Sequence, residues 1–305
     1  MADGRIAVPA ISMGAPTAAA DRWTAWGALP VVRRILRDPR GAFAVIVLVL
    51  LLGFAFVIPL VVTTSPFESV RGERLLEPSM KHPFGTDELS RDLFIRNAVG
   101  LRSTLVGGML AVVGGWFFGI TLGYVAGFKG GIIDSVISRF LDTLIAFPGI
   151  LLAMLLITIF GSGLTSLGLA VAIFNIPISA RLARAAVLRE GVRDYVLAAR
   201  TIGCSGTRIL WRHISVNTFG LFAVQLPISV VSSVLIMAAL GFLGLGEQPP
   251  NPTLGGLLND GRRFMRLAWW YLLAPATVLA LLMLALNFLS DVLSEMLDPV
   301  RRGRG

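Results

Sequence analysis

The sequence predicts an all-α membrane protein with six spanning helices. Hydrophobic residues make up 55% of the 305 and mean hydropathy is +0.78. Charged residues are 15%, where a soluble domain carries about 25%. Several apolar runs approach the roughly 20 residues that a helix needs to cross a bilayer. The net charge of +9 calls for no nucleic-acid partner, because Lys and Arg flanking the cytoplasmic ends of membrane helices make such proteins basic. The single cysteine, Cys204, excludes an internal disulfide. No G-x-x-x-x-G-K-S/T motif occurs, so no P-loop for ATP is expected.

Residues 1–30 are rich in Ala, Gly and Pro and lack a period, as in a mobile cytoplasmic lead. They do not read as a cleavable signal, since the charged lead and the apolar run after it are both too long. Trp23, Trp26, Arg33, Arg34, Arg37 and Arg40 suit a short helix at headgroup level, and an unstructured basic lead-in fits equally. Ala42–Val62 forms the first span, closed by Pro59 and the Thr63–Pro66 run. A polar segment, 63–102, separates it from the second span, about Ser103–Phe128. There Gly115, Gly119, Gly123 and Gly127 repeat every four residues, a stripe that lets another helix approach closely.

A link over Lys129–Ile137 leads to the third span, Ser138–Phe160, with Pro148 inside. After the Gly161–Gly163 turn, the fourth covers Leu164–Val187 around Asn175 and Pro177. The fifth covers Phe219–Leu243 with Gln225 and Pro227, and the sixth Trp270–Leu293. Residues 103–298 thus form a core of five spans, between the first span and a cytoplasmic tail at 299–305. The bias of Lys and Arg toward the N-terminal region, Lys129, the 194–217 connection and the tail puts both termini in the cytoplasm.

Asp194–Asn217 is a charged island between apolar segments. Good helix formers run to Ile202, and Gly203 suits the left-handed residue that ends a helix. Ser205 or Thr207 is placed to cap a second short helix. Ala198 and Ala199 leave room for a partner's surface, and Arg200, Arg208 and Arg212 can hold acidic groups or anionic headgroups. An interfacial connector with no partner is the plainer alternative.

Asp194-Tyr195-Val196, Ala198-Ala199-Arg200 and Gly203, then Arg212-His213-Ile214 and Asn217, resemble the EAA loop of ABC importer permeases of the dipeptide/oligopeptide family. Leu197 stands where that family usually has Glu, and Ser215-Val216 where it has Leu-Pro. The first change removes a charge; the second predicts a less rigid end to the segment. His82-Pro83-Phe84-Gly85-Thr86-Asp87, with Arg91 and Asp92, resembles the family's HPFGTDxxGRD motif, Ser90 replacing Gly. Gly244–Gly255 resembles its FLGLGxxPPxPxWG loop, with Leu254 for Trp. Asn287-Phe288-Leu289, Asp291 and Leu297-Asp298-Pro299 resemble its C-terminal motif, with Ser290 for Gly.

The resemblance covers residues 30–300 and implies a type I ABC importer permease fold. It implies a subunit that is not itself an enzyme and binds no cofactor, with ATP and Mg held by two partner ATPases. A homologous second permease, an extracytoplasmic substrate-binding protein and the bilayer complete the implied surroundings, with peptides as cargo. Nickel, glutathione and sugar importers share the subfamily. An ion-driven secondary transporter is the rival from another class, and no midplane Asp or Glu supports it. Coupling to the ATPases is expected at Asp194, Tyr195, Ala198, Ala199, Arg200, Gly203, Arg212, His213 and Asn217.

Between the first two spans, Pro83 and Gly85 set a turn in which Asp87, Arg91 and Asp92 can pair locally at helical spacing. His82 beside Asp87 lacks the second ligand a metal site needs. Asp142, three residues after Arg139, is expected to pair with it near the cytoplasmic end, with a place on the transport path as the alternative. Asn287, Asp291 and Glu295 share one face of the sixth span, expected to look into the bundle or toward the ATPases. Asn175, Gln225, Asn287 and Asp291 are the candidates for a pathway or gate. Pro148, Pro177 and Pro227 are either hinges or packing kinks.

Overall fold

The computed structural model describes residues 28–297, apart from Arg71 and Ser162. The expectations for residues 1–27, for Trp23 and Trp26, and for Asp298, Pro299 and the tail lie outside them. Among the described residues the regular structure is helical, with one isolated bridge between Thr86 and Asp92.

Helix α1 (Ala28–Arg37) leads into α2 (Pro39–Phe56), which α3 (Ile58–Val61) extends. Asp38 caps α2 by accepting from the Arg40 N–H at 2.8 Å, and Pro39 takes the first turn, where its missing N–H costs nothing. Helix α4 (Leu93–Lys129) starts ten residues before the sequence expectation, capped by Asp92 accepting from the Phe94 N–H at 2.7 Å. The expected polar segment 63–102 included Arg96 and Asn97. Both are buried, beside an apolar series of Leu93, Ile95, Ala98 and Leu101.

The third span differs most from its expected form. Helix α5 (Gly131–Ala146) starts directly after Gly130, so the expected link is largely helical, and α6 (Gly149–Phe160) follows at a bend of 90°. Pro148 has no N–H for the ladder and its ring excludes the preceding residue from helical geometry. Phe147 accordingly adopts φ −83°, ψ 132°. Pro177 and Pro227 stay inside α7 (Leu164–Glu190) and α10 (Ser215–Phe242).

Between α7 and α10 lie α8 (Asp194–Thr201), α9 (Gly206–Arg208) and a π-helical turn over Ile209–Ile214. The turn runs without a break into α10, giving one helical stretch from Gly206 to Phe242. The sequence reading had separated a short helix from the fifth span and expected a looser end. Ser215-Val216 supplies no proline to stop the helix. Ser215 and Asn217 bond back to the carbonyls of Trp211 and His213 at 2.6 and 2.7 Å, so their polar groups are satisfied within it. The loop before the last span holds α11 (Leu254–Phe264), and α12 (Trp269–Leu297) is the last helix of the described residues. Among the described residues five helices are long and apolar enough to cross a membrane, six if the bent α5–α6 pair counts as one span.

The glycine stripe of α4 seats α7. A Cβ on Gly115 would stand 2.5 Å from the Ala172 carbonyl oxygen and from Asn175 Cβ. On Gly119 it would meet Ser179 Oγ and, at 2.5 Å, the Ile176 oxygen; on Gly123 it would meet the Ala180 oxygen. Only hydrogen at these positions allows the two backbones to lie this close. Leu51, Leu101, Val112, Val234, Leu254 and Leu282 anchor a second body of core joining α2, α4, α10, α11 and α12.

Candidate functional site

The island docks on the end of the bundle through its apolar side. Val196, Ala199, Ile209, Leu210 and Ile214 pack with Tyr124, Ala183, Val187 and Phe222. Gly203 has φ +79°, and its N–H donates to Arg200 O at 3.0 Å while the Cys204 N–H reaches back to Ala199 O at 3.0 Å. This is the Schellman arrangement, which satisfies the last carbonyls of α8 and turns the chain sharply. Ser205 stands at the N-cap of α9 but gives no side-chain cap bond; its hydroxyl lies 3.4 Å from that of Thr207.

The face of α8 turned away from the bundle holds Asp194, Leu197, Ala198, Arg200 and Thr201, all exposed. Ala199 is buried, so of the alanine pair Ala198 alone offers free surface. Leu197 is 49% exposed, with Val192 and Ile202 more exposed at 75% and 79%, which makes this face apolar as well as small. The Arg200 guanidinium lies 5.9 Å from the centre of the Phe128 ring. Arg212 and Asn217 are exposed and His213 is half-buried.

A buried carboxylate that the sequence reading missed fixes the entry to α8. Glu190 ends α7, accepts from the Tyr195 hydroxyl at 2.9 Å and has Arg189 and Arg193 each at 3.6 Å. Burial, and then the Glu190 carboxylate, push the Tyr195 phenol up to about 12. Arg193 at the i+3 position from Glu190 was the readable signal.

At the opposite end of the bundle the HPFGTD stretch forms a folded cap. Gly85 has φ +75°, and a Cβ there would strike Leu76 O and the Trp270 ring. The Thr86 hydroxyl accepts from the Leu76 N–H at 2.8 Å and donates to the Glu73 carbonyl. Asp87 is fully buried: Oδ1 accepts from the N–H groups of Leu89 and Arg91 at 2.8 and 2.9 Å, and Oδ2 accepts from Arg91 Nε at 2.6 Å. Arg96 Nε stands 3.3 Å from the same oxygen. The Asp87–Arg91 pair therefore forms, though in a turn rather than a helix. Asp92 caps α4 and meets His82 Nδ1 at 2.7 Å instead of joining that pair.

His82 Nε2 meets Glu73 at 3.1 Å, and Glu73 also pairs with Lys81, whose hydrogen bond holds the Glu73 carboxyl below its ordinary 4.5. Among the described residues no group of His, Cys, Asp or Glu is arranged to hold a metal. Behind the cap, Glu88 Oε2, Asn97 Oδ1, Trp270 Nε1 and the Tyr271 hydroxyl are buried with no hydrogen-bond partner among the described residues. Burial, then the Glu88 charge, raise the Asp260 carboxyl above its ordinary 3.8. Glu73, Arg96 and Asp260 come from distant positions, and no spacing in the sequence announces them.

The pathway candidates fall in different settings. Asn175 is buried, its Nδ2 donating to Val171 O and to Ser233 Oγ, both at 2.9 Å, so it ties α7 to α10. Gln225 is half-buried. Asn287 and Asp291 are exposed rather than turned into this subunit's bundle, and Glu295 pairs with Arg40 at 3.1 Å. Asp142 does not take Arg139: it pairs with Arg181 at 2.6 Å across to α7, and Asp134 holds Arg184 at 2.6 Å beside it. Helix α5 carries both acids and α7 both arginines, so spacing along one helix could not reveal the pairs.

A bundle of apolar helices joined by a polar island is the architecture of a multi-pass membrane protein. The family model described as the binding-protein-dependent transport system inner membrane component matches residues 119–303, and the chain belongs to that family of ABC importer permeases. It is a multi-pass protein of the plasma membrane. The dipeptide transport system permease protein DppC of Alkalihalophilus pseudofirmus is 39% identical, covering 85% of this chain and 86% of that protein. The glutathione transport system permease protein GsiD of Pectobacterium atrosepticum is 38% identical over 88% of this chain and 89% of its own. A chain of the MetNI methionine ABC transporter has a similar fold, with TM-score 0.53 at 18% identity, covering 65% of this chain and 95% of that one.

Proposed function

We propose that this permease imports di- or oligopeptides, and that the island is the part gripped by the motor. Two ATPase subunits, which hold the ATP and Mg, bind the exposed face of α8. A homologous second permease completes the pathway, and an extracytoplasmic binding protein delivers cargo at the HPFGTD end. Both termini and the island are cytoplasmic in this reading. The chain itself performs no catalysis. ATP acts through its different affinity for the two states of the assembly.

The observation that carries the reading is the shape of α8. One side sends Val196 and Ala199 into a buried cluster shared with α4, α7, α10 and the π-helical turn, and the other presents Leu197, Ala198 and Ile202 to solvent. A short helix fixed on one side and apolar on the other is suited to fill a cleft and pass its displacement to the bundle. With Leu197 where the family has Glu, that grip is apolar at this position. Asp194, Arg200, Arg212, His213 and Asn217 surround it, and Gly203 sets its angle. Asn175, Gln225, Asn287 and Asp291 remain the proposed gate and pathway residues, with exposed Asn287 and Asp291 facing the second permease or the passage.

Peptide cargo is supported by the similarity to DppC, and the GsiD similarity makes glutathione the second reading. Vesicles carrying the whole assembly are tested with labelled dipeptide, oligopeptide and glutathione, with ATP present and ion gradients collapsed. Uptake of peptide supports the proposal. Uptake of glutathione alone replaces the cargo, and uptake that needs the gradient rejects the ABC mechanism. In the same vesicles Gly203→Val is expected to uncouple ATP hydrolysis from uptake, and normal coupling would remove the island from the mechanism.

A further inference from the structure

Helix α1 takes no part in the island or in the HPFGTD cap, and the first span does not continue it. Gly41, near the start of α2, is so close to Ile35 that a Cβ there would strike the Ile35 carbonyl oxygen and stand 3.0 Å from its carbon. In a straight helix, residues six apart are separated by about 9 Å along the axis. The chain therefore turns sharply at Asp38-Pro39, and α1 crosses the end of the first span instead of lengthening it.

The two sides of α1 differ in chemistry. At roughly 100° per residue, Val32, Ile35 and Leu36 fall in one arc and Arg33, Arg34 and Arg37 in the opposite one. Ile35 is buried, whereas Val32 and Leu36 are 48% and 47% exposed, and all three arginines are exposed. Neighbouring Arg40 is already engaged by Asp38 and Glu295, at 3.4 and 3.1 Å. Among the described residues no salt bridge falls on Arg33, Arg34 or Arg37. Among the described residues, three arginines without an ion pair thus sit over an apolar edge that no other described residue covers, at the end of the bundle where the first span begins.

We infer that α1 lies on the membrane surface and binds the headgroups of anionic phospholipids. Val32 and Leu36 enter the boundary of the acyl chains, and Arg33, Arg34 and Arg37 meet lipid phosphates. Charge complementarity and continuity with the membrane-embedded first span select this occupant over a protein. The surface is separate from the island, so the inference does not depend on the cargo or on the coupling role.

The test places a fluorophore at Val32→Cys in a Cys204→Ser background, with the assembled transporter in nanodiscs. Quenching is read with nitroxide headgroup-labelled phosphatidylglycerol and, separately, phosphatidylcholine, and with chain-labelled lipid carrying the nitroxide near the bilayer centre. Headgroup label is expected to quench more than deep label. Half-quenching is expected at a mole fraction of labelled phosphatidylglycerol at least about fivefold lower than of labelled phosphatidylcholine, the preference of a single surface arginine. Arg33→Gln with Arg34→Gln and Arg37→Gln should bring the ratio toward one while quenching by phosphatidylcholine persists. High salt should do the same, because screening shortens to about 3 Å at 1 M. Equal quenching by the two lipids overturns the anionic preference. Absence of quenching by any lipid overturns the surface placement, and quenching that appears only after the ATPases are stripped off assigns the face to them instead.

Discussion

Replacing Asp87 by Asn keeps the shape of the cap and removes its one fully buried charge. Oδ1 would still accept from the N–H groups of Leu89 and Arg91. The loss falls on Oδ2, which takes Arg91 Nε at 2.6 Å and has Arg96 Nε at 3.3 Å, leaving both arginines in a buried site without their shared counter-charge. Removing one partner of a buried ion pair costs about 3–5 kcal/mol. For a chain of this size 1 kcal/mol moves the melting temperature by roughly 2 °C, so the midpoint should fall by about 6–10 °C. Differential scanning fluorimetry of the purified assembly reads that shift. Limited proteolysis should show earlier cleavage within residues 63–92. Adding Arg96→Met to Asp87→Asn should recover part of the loss, because one stranded cation is removed and an apolar stem fills its place. A midpoint within about 2 °C of the parent, or no recovery in the double variant, would refute the claim that this charge organises the cap.

Ser90 stands at φ +61°, where the resembling motif carries Gly. The left-handed region costs a side-chain-bearing residue about 1–2 kcal/mol, and glycine returns some of that as entropy, so Ser90→Gly should stabilise by about 0.5–1 kcal/mol, seen as a raised melting temperature. Gly119→Ala should destabilise by about 1–3 kcal/mol through overpacking against Ile176 and Ser179. The control Gly114→Ala, whose Cβ would meet Ala172 Cβ at 3.6 Å, should leave the midpoint near the parent's. The raised carboxyl of Asp260 carries a sign: stability is lost as pH rises from 3.8 through the higher folded value, and nothing is lost below 3.8. Asp260→Asn should therefore raise the melting temperature at pH 7, with the gap closing as pH falls toward 3.8.

The parts legible in the sequence were those with local causes. Apolar runs announced the spans, the four-residue glycine repeat announced the α4–α7 contact, and Gly203 announced the end of α8. Interactions that join distant positions were invisible. Arg96 lies nine residues from Asp87 with no helical spacing to link them, and Asp142 had an acceptable neighbour in Arg139 while its partner Arg181 lay on another helix. Proline gave the same letter with two outcomes. Pro148 follows Phe147 in extended geometry and breaks the third span, whereas Pro177 and Pro227 are buried inside helices whose neighbours hold them in place. Around the break α5 buries Leu141, whereas α7 and α10 bury the prolines themselves.

The same contrast bears on how a displacement of the island would travel under the proposed coupling. On one side α8 joins α7 through the Glu190 clamp with Tyr195. On the other, after the Gly203 turn, the chain rises as one helical stretch into α10. Those two helices are tied to each other by Asn175 and Ser233, and α4 joins both, through its glycines to α7 and through the Tyr124–Thr218 hydrogen bond at 2.5 Å to α10. A push on α8 therefore meets a bonded unit of α4, α7 and α10 rather than a single lever. Helix α5 follows α4 directly across Gly130, is held to α7 by Asp134–Arg184 and Asp142–Arg181, and continues into α6 through the 90° corner at Pro148. Ion pairs between side chains tolerate sliding and re-pairing better than backbones in contact through glycine. Under that coupling a change of angle is expected at the α5–α6 corner, with α6 held on α7 and α10 through Ala153 and Ile157.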